Sequence, residues 1–247
     1  MDAIRAMIEK TARCFGAEIS ENRTNRDRNL LFNQWVKKLQ TTDPLQIVFD
    51  VGANRGHTVA RFRTEFPDAT IYAFEPGLQA FLDLKARTAD DSKIKSFQLA
   101  LGEYDGSATL HENSDDVTSS LLPNSPHISH FAPPEMCIPK KETTIPLVRM
   151  DTFCAQESIN RIDLLKIDAQ GYERYILDGA GSLLSPAKIR GLFLEVLFVD
   201  LYKDQTWCGE VLESLRSRGY RLFGFTDIVS DDIHGWKWAD AMFVGNG

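Results

Sequence analysis

The 247-residue sequence has no apolar run approaching the ~20 residues that span a bilayer, and its start, Met1-Asp2-Ala3-Ile4-Arg5, lacks the apolar stretch of a signal peptide. The expectation is an unexported, cytoplasmic protein without a membrane span. Cysteine is scarce: Cys14, Cys137, Cys154 and Cys208 form neither a close pair nor a zinc-ligand spacing, so reduced thiols are expected and no metal site is called for. Positive charge is also in deficit. With 28 Lys/Arg against 35 Asp/Glu the net charge is -7, which argues against a nucleic-acid partner, whose phosphates require clustered cations. No internal repeat or low-complexity tract is present.

What is there suits one sizeable core: 43% of residues are hydrophobic, and a chain of this length buries roughly 70% of its unfolded surface. Residues 1 to 40 stand apart, with eight Lys/Arg against five Asp/Glu. Ile4, Met7, Ile8 and Phe15, and then Leu31, Trp35 and Leu39, recur at helical spacing before Asp43-Pro44. The division expected is a helical extension over 1–44 and a main domain over 45–247. The extension would cover a sheet face, with capping of an active site or a homodimer contact as the alternative uses.

From Gln46 short apolar runs alternate with helical ones, the mark of an α/β fold with helices on both faces of a parallel sheet. Strands are expected at Ile47–Phe49, Thr70–Phe74, Ile94–Leu99, Ile162–Asp168, Ile189–Val196, Tyr220–Phe225 and Asp240–Val244. Helices are expected at Val59, Phe62 and Phe66, at Leu78, Phe81 and Leu82, after Gly171, and at Val211, Leu212 and Leu215. Between Leu101 and Asp151 the rhythm breaks, and six of the ten prolines fall from Pro123 to Pro146. An irregular excursion is expected there, with a short strand at Ser107–Leu110, serving as a lid or a surface insertion.

The first strand closes on Asp50-Val51-Gly52-Ala53-Asn54-Arg55-Gly56, a glycine turn at a helix entry that lets a ligand approach backbone closely. A dinucleotide prefers Gly-x-Gly-x-x-Gly, whereas this loop has glycines only at 52 and 56. Asp50 would repel a pyrophosphate and attract the ammonium and sulfonium of S-adenosylmethionine. Glu75, closing the second strand before Pro76, is an acceptor-only group suited to ribose hydroxyls, a device that both ligand classes use.

With Phe74-Glu75-Pro76 and Leu165-Lys166-Ile167-Asp168-Ala169-Gln170-Gly171-Tyr172-Glu173 added to that loop, the sequence resembles the FkbM family of S-adenosylmethionine-dependent methyltransferases over roughly residues 46 to 200. Weaker matches are Ala100-Leu101-Gly102, Ser119-Ser120-Leu121 and Val148-Arg149-Met150-Asp151. The resemblance implies the Rossmann-like class I methyltransferase fold, a seven-stranded, mostly parallel sheet with a terminal antiparallel strand, and O-methylation of sugar, glycan or natural-product hydroxyls. It would set Asp50, Gly52, Ala53, Asn54 and Gly56 around the methionine part of the cofactor, Glu75 at its ribose, Ala100 and Leu101 near its adenine, and Asp168 beside the methyl donor. One departure stands out: the family usually reads Asp-x-Glu-Gly-x-Glu, and Gln170 takes the place of the first glutamate. An amide orients a hydroxyl but does not accept its proton. Tyr172 also replaces a usually small residue.

A hydroxyl nucleophile needs a base. Asp168 or Glu173 is the expected base, with Glu195 in reserve, and Glu195 in an apolar strand should have a partner. Ser119, Ser120, His127 and His130 are the candidate acceptor contacts, and Trp207, Trp236 and Trp238 candidate stacking surfaces. The competing readings are a non-catalytic module that binds S-adenosylmethionine and an NAD-type oxidoreductase.

Overall fold

Short apolar segments in which neighbouring side chains point to opposite faces build the central sheet. In Ile47–Val51 (β2), Val48 packs with Phe62, Ile71 and Leu164 on one face, while Phe49 packs with Phe74, Phe153 and Leu165 on the other. A strand buried on both faces reads as a continuous apolar run, as β2 does. The computed structural model describes residues 18–19, 25–41 and 43–245.

The other strands are β1 (Glu18–Ile19), β3 (Thr70–Phe74), β4 (Ile94–Phe97), β5 (Ala100–Gly102), β6 (Gly106–Asn113), β7 (Pro139–Arg149), β8 (Ile162–Ile167), β9 (Ile189–Leu197), β10 (Tyr220–Asp231) and β11 (Gly235–Gly245). The main sheet runs β1-β10-β11-β9-β8-β2-β3-β4. Strands β9, β8, β2, β3 and β4 are mutually parallel, and β11 is antiparallel to both β9 and β10. Apart from the two-residue β1 this is the expected seven-stranded sheet, with the chain's last strand antiparallel. Its order reverses between β2 and β8, and in such sheets the ligand crevice opens at the carboxyl ends beside that switch point.

Helix α1 (Asn25–Leu39) lies on one face: Leu31, Phe32, Trp35, Val36 and Leu39 are buried against Val48, Phe62, Phe193 and Met242. Trp35 is fully buried, and its Nε1 donates to the Phe243 carbonyl at 3.1 Å. A Cβ on Gly191 would meet Leu39 at 2.6 Å, so glycine lets this helix sit close on β9. The apolar stripe of α1 is therefore covered within the chain. The expected earlier helix through Ile4, Met7, Ile8 and Phe15 lies outside the described residues. Helices α2 (His57–Glu65), α3 (Leu78–Thr88), α4 (Ile128–Phe131), α5 (Met150–Gln156), α6 (Glu173–Gly179) and α7 (Cys208–Ser217) complete the fold.

Three expectations need correction. The third strand divides: β4 ends at Phe97, and Ala100–Gly102 leaves the main sheet to pair with β7, carrying Leu99 to Leu101 over the end of the main sheet. The excursion is largely ordered, since β6 and β7 pair antiparallel across eight positions and α5 follows at once. Its prolines misled because β7 is central only at Leu147, Val148 and Arg149, where β5 joins it. Pro139 and Pro146 lie where β7 has β6 alone beside it, and an edge strand tolerates a missing donor. Beyond the turn at 103–105, the excursion's irregular backbone lies within 114–138, with α4 inside it. Last, β10 and β11 extend well past the expected Phe225 and Asp240. They form a long hairpin with register shifts near Val229, whose polar far half carries no apolar run.

Candidate active site

Loop 52–56 follows β2, and its conformation is set by close packing. Gly52 has φ of 74°, and a Cβ there would stand 1.9 Å from the Asp168 carbonyl oxygen. No side chain fits, so the turn after β2 and the turn after β8 are held in contact. Asn54, at φ 46°, also lies in the left-handed region. Its backbone N–H donates to Glu75 Oε2 and that of Gly77 donates to Glu75 Oε1, both at 2.8 Å. Burial pushes the Glu75 carboxyl up to about 7, although these two N–H groups and Lys166 favour the charged form. Each Glu75 oxygen keeps a further lone pair.

These turns open on a cleft of about 370 Å³. Its walls include Gly52, Asn54 and Glu75, then Leu99, Ala100 and Leu101, and at the other end Asp168, Gln170, Glu195, Tyr202 and Trp238. Residues 116 to 121 form a further side, so the excursion is a wall of the cleft. Arg55 fastens that wall, lying 3.2 Å from Asp83 of α3 and 2.9 Å from Asp116.

Asp50 is elsewhere. It is fully buried behind the loop, outside the cleft lining, with Lys166 Nζ 2.9 Å from its Oδ1 and no hydrogen bond to either oxygen among the described residues. Register puts Asp50 directly opposite Lys166 on the neighbouring strand. Lys166 also donates to the Gly52 carbonyl at 2.8 Å and stands 3.6 Å from Asp168 Oδ2. Burial alone would push this lysine down. Asp50 and Asp168 outweigh burial and hold it up, so it stays charged. The attraction of Asp50 for a cationic ligand is thus screened by Lys166, and the acids facing the cleft are Glu75, Glu112, Asp116, Asp168 and Glu195.

Asp168 projects from the end of β8 and is partly exposed. Its Oδ1 accepts from Gln170 Nε2 at 2.8 Å, and its Oδ2 accepts no hydrogen bond among the described residues. Gln170 Nε2 also donates to Glu195 Oε2 at 2.8 Å, which supplies the partner that a glutamate in this strand requires. Burial, then Asp168, Glu173 and Asp240, drive the Glu195 carboxyl well above the usual range. Glu173 does not line the cleft. Buried at the start of α6, it accepts from the N–H groups of Ala169 at 3.0 Å and Gly171 at 3.2 Å, bracing the turn beneath Asp168. Burial pushes it up to about 7.

Ser119 and Ser120 line the cleft, but Ser120 Oγ donates to the Gln170 carbonyl at 2.8 Å and Ser119 Oγ accepts from Asn113 N–H. His127 and His130 are exposed and off the lining, although Ile128 between them is on it. Gly56 packs on Leu84, and Ala53 is buried, both behind the cleft surface. Trp236 packs on Phe198 and Phe225, Trp207 heads α7 away from the lining, and only Trp238 of the three reaches it. Tyr172 forms part of the floor, stacked on Tyr175 and donating to Glu103 Oε2 at 2.6 Å. Sequence reasoning did not single out Lys166, Tyr202 or Asp240. Among the described residues no group of three or more His, Cys, Asp or Glu is arranged to hold a metal ion, and no helix is long and apolar enough to cross a membrane.

Residues 50–222 match the model of the methyltransferase FkbM domain, well over half the chain. The chain belongs to the FkbM methyltransferase family. It is 26% identical over 191 residues to the 2-O-methyltransferase NoeI of Sinorhizobium fredii, covering 74% of this chain and 76% of that protein. To the 31-O-demethyl-FK506 methyltransferase FkbM of Streptomyces tacrolimicus it is 27% identical, covering 77% and 79%. Among solved structures, M. capricolum TrmK with S-adenosylhomocysteine is similar at 12% identity and a TM-score of 0.48, covering 87% of this chain and 67% of that one.

The protein is an S-adenosylmethionine-dependent methyltransferase, and family membership removes the dinucleotide reading. The residues present fit the cofactor. Glu75 has acceptor capacity left for a diol, the Gly52–Asn54 backbone has no side chain in the way at Gly52, Leu99 to Leu101 offer an apolar wall, and the cleft's acids suit a cation.

Proposed function

We propose that this FkbM-family enzyme methylates a hydroxyl oxygen of a sugar, glycan or natural product, with Asp168 as the base. The observation that carries the reading is the Asp168 carboxylate on the cleft wall, one oxygen aligned by Gln170 and the other without a hydrogen bond among the described residues. The names of both relatives put the methyl group on oxygen, at a 2-O position and on a 31-O-demethylated compound.

When bound, the cofactor supplies an electrophilic methyl carbon on a sulfonium. Glu75 would accept from the ribose hydroxyls, Ala100 and Leu101 would flank the adenine, and loop 52–56, with Asp50 and Lys166 behind it, would support the methionine part. The carbon–oxygen bond would form as the carbon–sulfur bond breaks and leaves the neutral thioether of S-adenosylhomocysteine, with Asp168 Oδ2 taking the hydroxyl proton and the apolar walls excluding water. Burial and the neighbouring acids favour the neutral form of Glu195, and Glu173 braces the turn off the lining, so Asp168 is the acid best placed for this role. Residues 45–247 are taken as the methyltransferase domain and 1–44 as its extension, a division supported by the family match beginning at residue 50.

The test is incubation with methyl-13C S-adenosylmethionine and a panel of hydroxylated glycans and polyketides, followed by NMR of the products. The expected product carries its label as an ether methyl. A label on nitrogen or carbon contradicts the reading, and cofactor binding without transfer to any panel member favours the non-catalytic module.

A further inference from the structure

Gln170 has a backbone that a glutamine rarely adopts and a side chain with both amide N–H bonds and the carbonyl oxygen engaged. Its φ is 53°, in the left-handed region where glycine is at ease and other residues are strained, and such strain collects where the side chain is needed. The surroundings fix it at both ends. Ser120 Oγ donates to its carbonyl at 2.8 Å and itself accepts from Leu122 N–H at 3.0 Å. At the far end Oε1 accepts from the buried Tyr202 hydroxyl at 2.9 Å. The single proton of that hydroxyl also has the Thr118 carbonyl at 3.1 Å, so the facing of the amide is set at its other end, where the carboxyl oxygens Asp168 Oδ1 and Glu195 Oε2 each accept an N–H at 2.8 Å.

We propose that Gln170 is a positioning residue that splits its amide between Asp168 and Glu195, so that the two carboxyl groups stand side by side with Asp168 aimed into the cleft and ready to accept a proton. The inference rests on the assignment of Asp168 as the base and adds what makes it one. Without a donor between them, two facing carboxyl groups share a proton, and the base is occupied when it is needed.

The charged groups around the pair are distributed over every packed element. Lys166 on β8 stands 3.6 Å from Asp168 Oδ2, with Asp50 of β2 behind it. Asp240 on β11 is the register partner of Glu195. Glu173 of α6 lies under the turn, and Tyr202 closes the far side. One lysine thus faces five carboxyl groups, which is why a neutral double donor at position 170 matters. Burial and the neighbouring acids raise the Glu195 carboxyl well above the ordinary range, which agrees with the Glu195 side of the pair favouring its neutral form.

The test needs no acceptor. In protein labelled with 13C at Asp and Glu side-chain carboxyls, the Asp168 resonance is assigned with Asp168→Asn and its titration midpoint followed in wild type, Gln170→Leu and Gln170→Glu. The expected result is a midpoint higher by about one pH unit or more in Gln170→Leu, where the donor is lost, and higher again in Gln170→Glu, where a third acid joins. An unchanged midpoint in Gln170→Leu overturns the proposal, even if Gln170→Glu shifts, because the added charge alone would then account for it. Should Gln170→Leu not fold, Gln170→Met, close in shape and without a donor or a charge, decides: a raised midpoint supports the proposal and the wild-type value overturns it. Failure of the wider functional reading would look different, as an Asp168→Asn protein that still methylates at the wild-type rate.

Discussion

The two ends of the cleft are built from different material. At the Glu75 end the wall is made by strand termini and turn backbone: Gly52, Asn54 and Gly77 act through N–H groups or the absence of a side chain, and Glu75 is the one functional side chain among them. At the Asp168 end the wall is largely side chain, with Asp168, Gln170, Glu195, Tyr202 and Trp238 coming from two strands and two loops. A backbone-built end holds one shape whatever the neighbouring side chains are, which suits a constant cofactor. A side-chain end is easily varied, which suits an acceptor that differs between relatives.

The largest effect expected from this contrast is on rate at the Asp168 end alone. Asp168→Asn should lower the methyl-transfer rate ~10²–10⁴-fold, the usual worth of a general base, while S-adenosylhomocysteine affinity measured by calorimetry changes little. Loss of affinity without loss of rate at saturating cofactor would erase the distinction between the two ends. Next in size is Glu75→Ala, which removes a charged acceptor and leaves the Asn54 and Gly77 N–H groups without their partner. S-adenosylhomocysteine should bind about 100-fold more weakly. A weakening of only a fewfold would place the ribose elsewhere.

Much of the backbone-built end was legible in the sequence, because each of its parts is a short contiguous signal. The glycines at 52 and 56 mark the turn, and Glu75 is fixed between a strand and Pro76. Three strands, β2, β3 and β8, lie within a residue or two of where the apolar runs set them. The side-chain end was legible only in pieces. Asp168 and Glu195 stand out as acids at or within apolar strands, but nothing in the pattern brings Tyr202 to Gln170 across 32 positions, or Trp238 to the same wall. Glu173 was misleading for a local reason: a carboxylate early in a helix also suits a structural bond to the preceding turn, and that is the bond it makes. Lys166 was within reach of sequence reasoning. A lysine inside the wholly buried run Ile162–Ile167 requires a carboxylate partner, and Asp50 on the adjacent strand is the near candidate. The charge argument built on Asp50 pointed to the right cofactor, yet the acids that face the cleft are others.

A smaller effect sharpens the comparison through pH. Burial pushes the Glu75 carboxyl up to about 7, and the proposed ribose contact would use its ionised, acceptor-only form. S-adenosylhomocysteine affinity should therefore rise with pH through 7 and level off above it, falling by up to about tenfold for each pH unit below. In Glu75→Gln the profile should lose that bend. Stability runs the opposite way. A carboxyl whose folded pKa is raised contributes stability that is full at low pH and is lost as pH climbs through 7, so the free protein should melt at a lower temperature at pH 8 than at pH 6. A pH-independent cofactor affinity would mean that Glu75 is not the ribose acceptor.

The smallest effect concerns the strap between the loop and the excursion. Arg55 is about half exposed, and exposed ion pairs contribute little and are screened by salt. Arg55→Ala should speed S-adenosylhomocysteine release about two- to fivefold in stopped flow at low ionic strength, with the difference fading as salt is added. A salt-independent change would point to packing by the Arg55 side chain instead.

The central claim is that one cleft joins a ribose site at Glu75 to a proton acceptor at Asp168. A crystal structure with S-adenosylhomocysteine bound tests it most directly. The account predicts both ribose hydroxyls within hydrogen-bonding distance of the Glu75 carboxylate and the sulfur turned toward Asp168 and Gln170. An adenosine bound away from Glu75, or a sulfur facing away from Asp168, would contradict it.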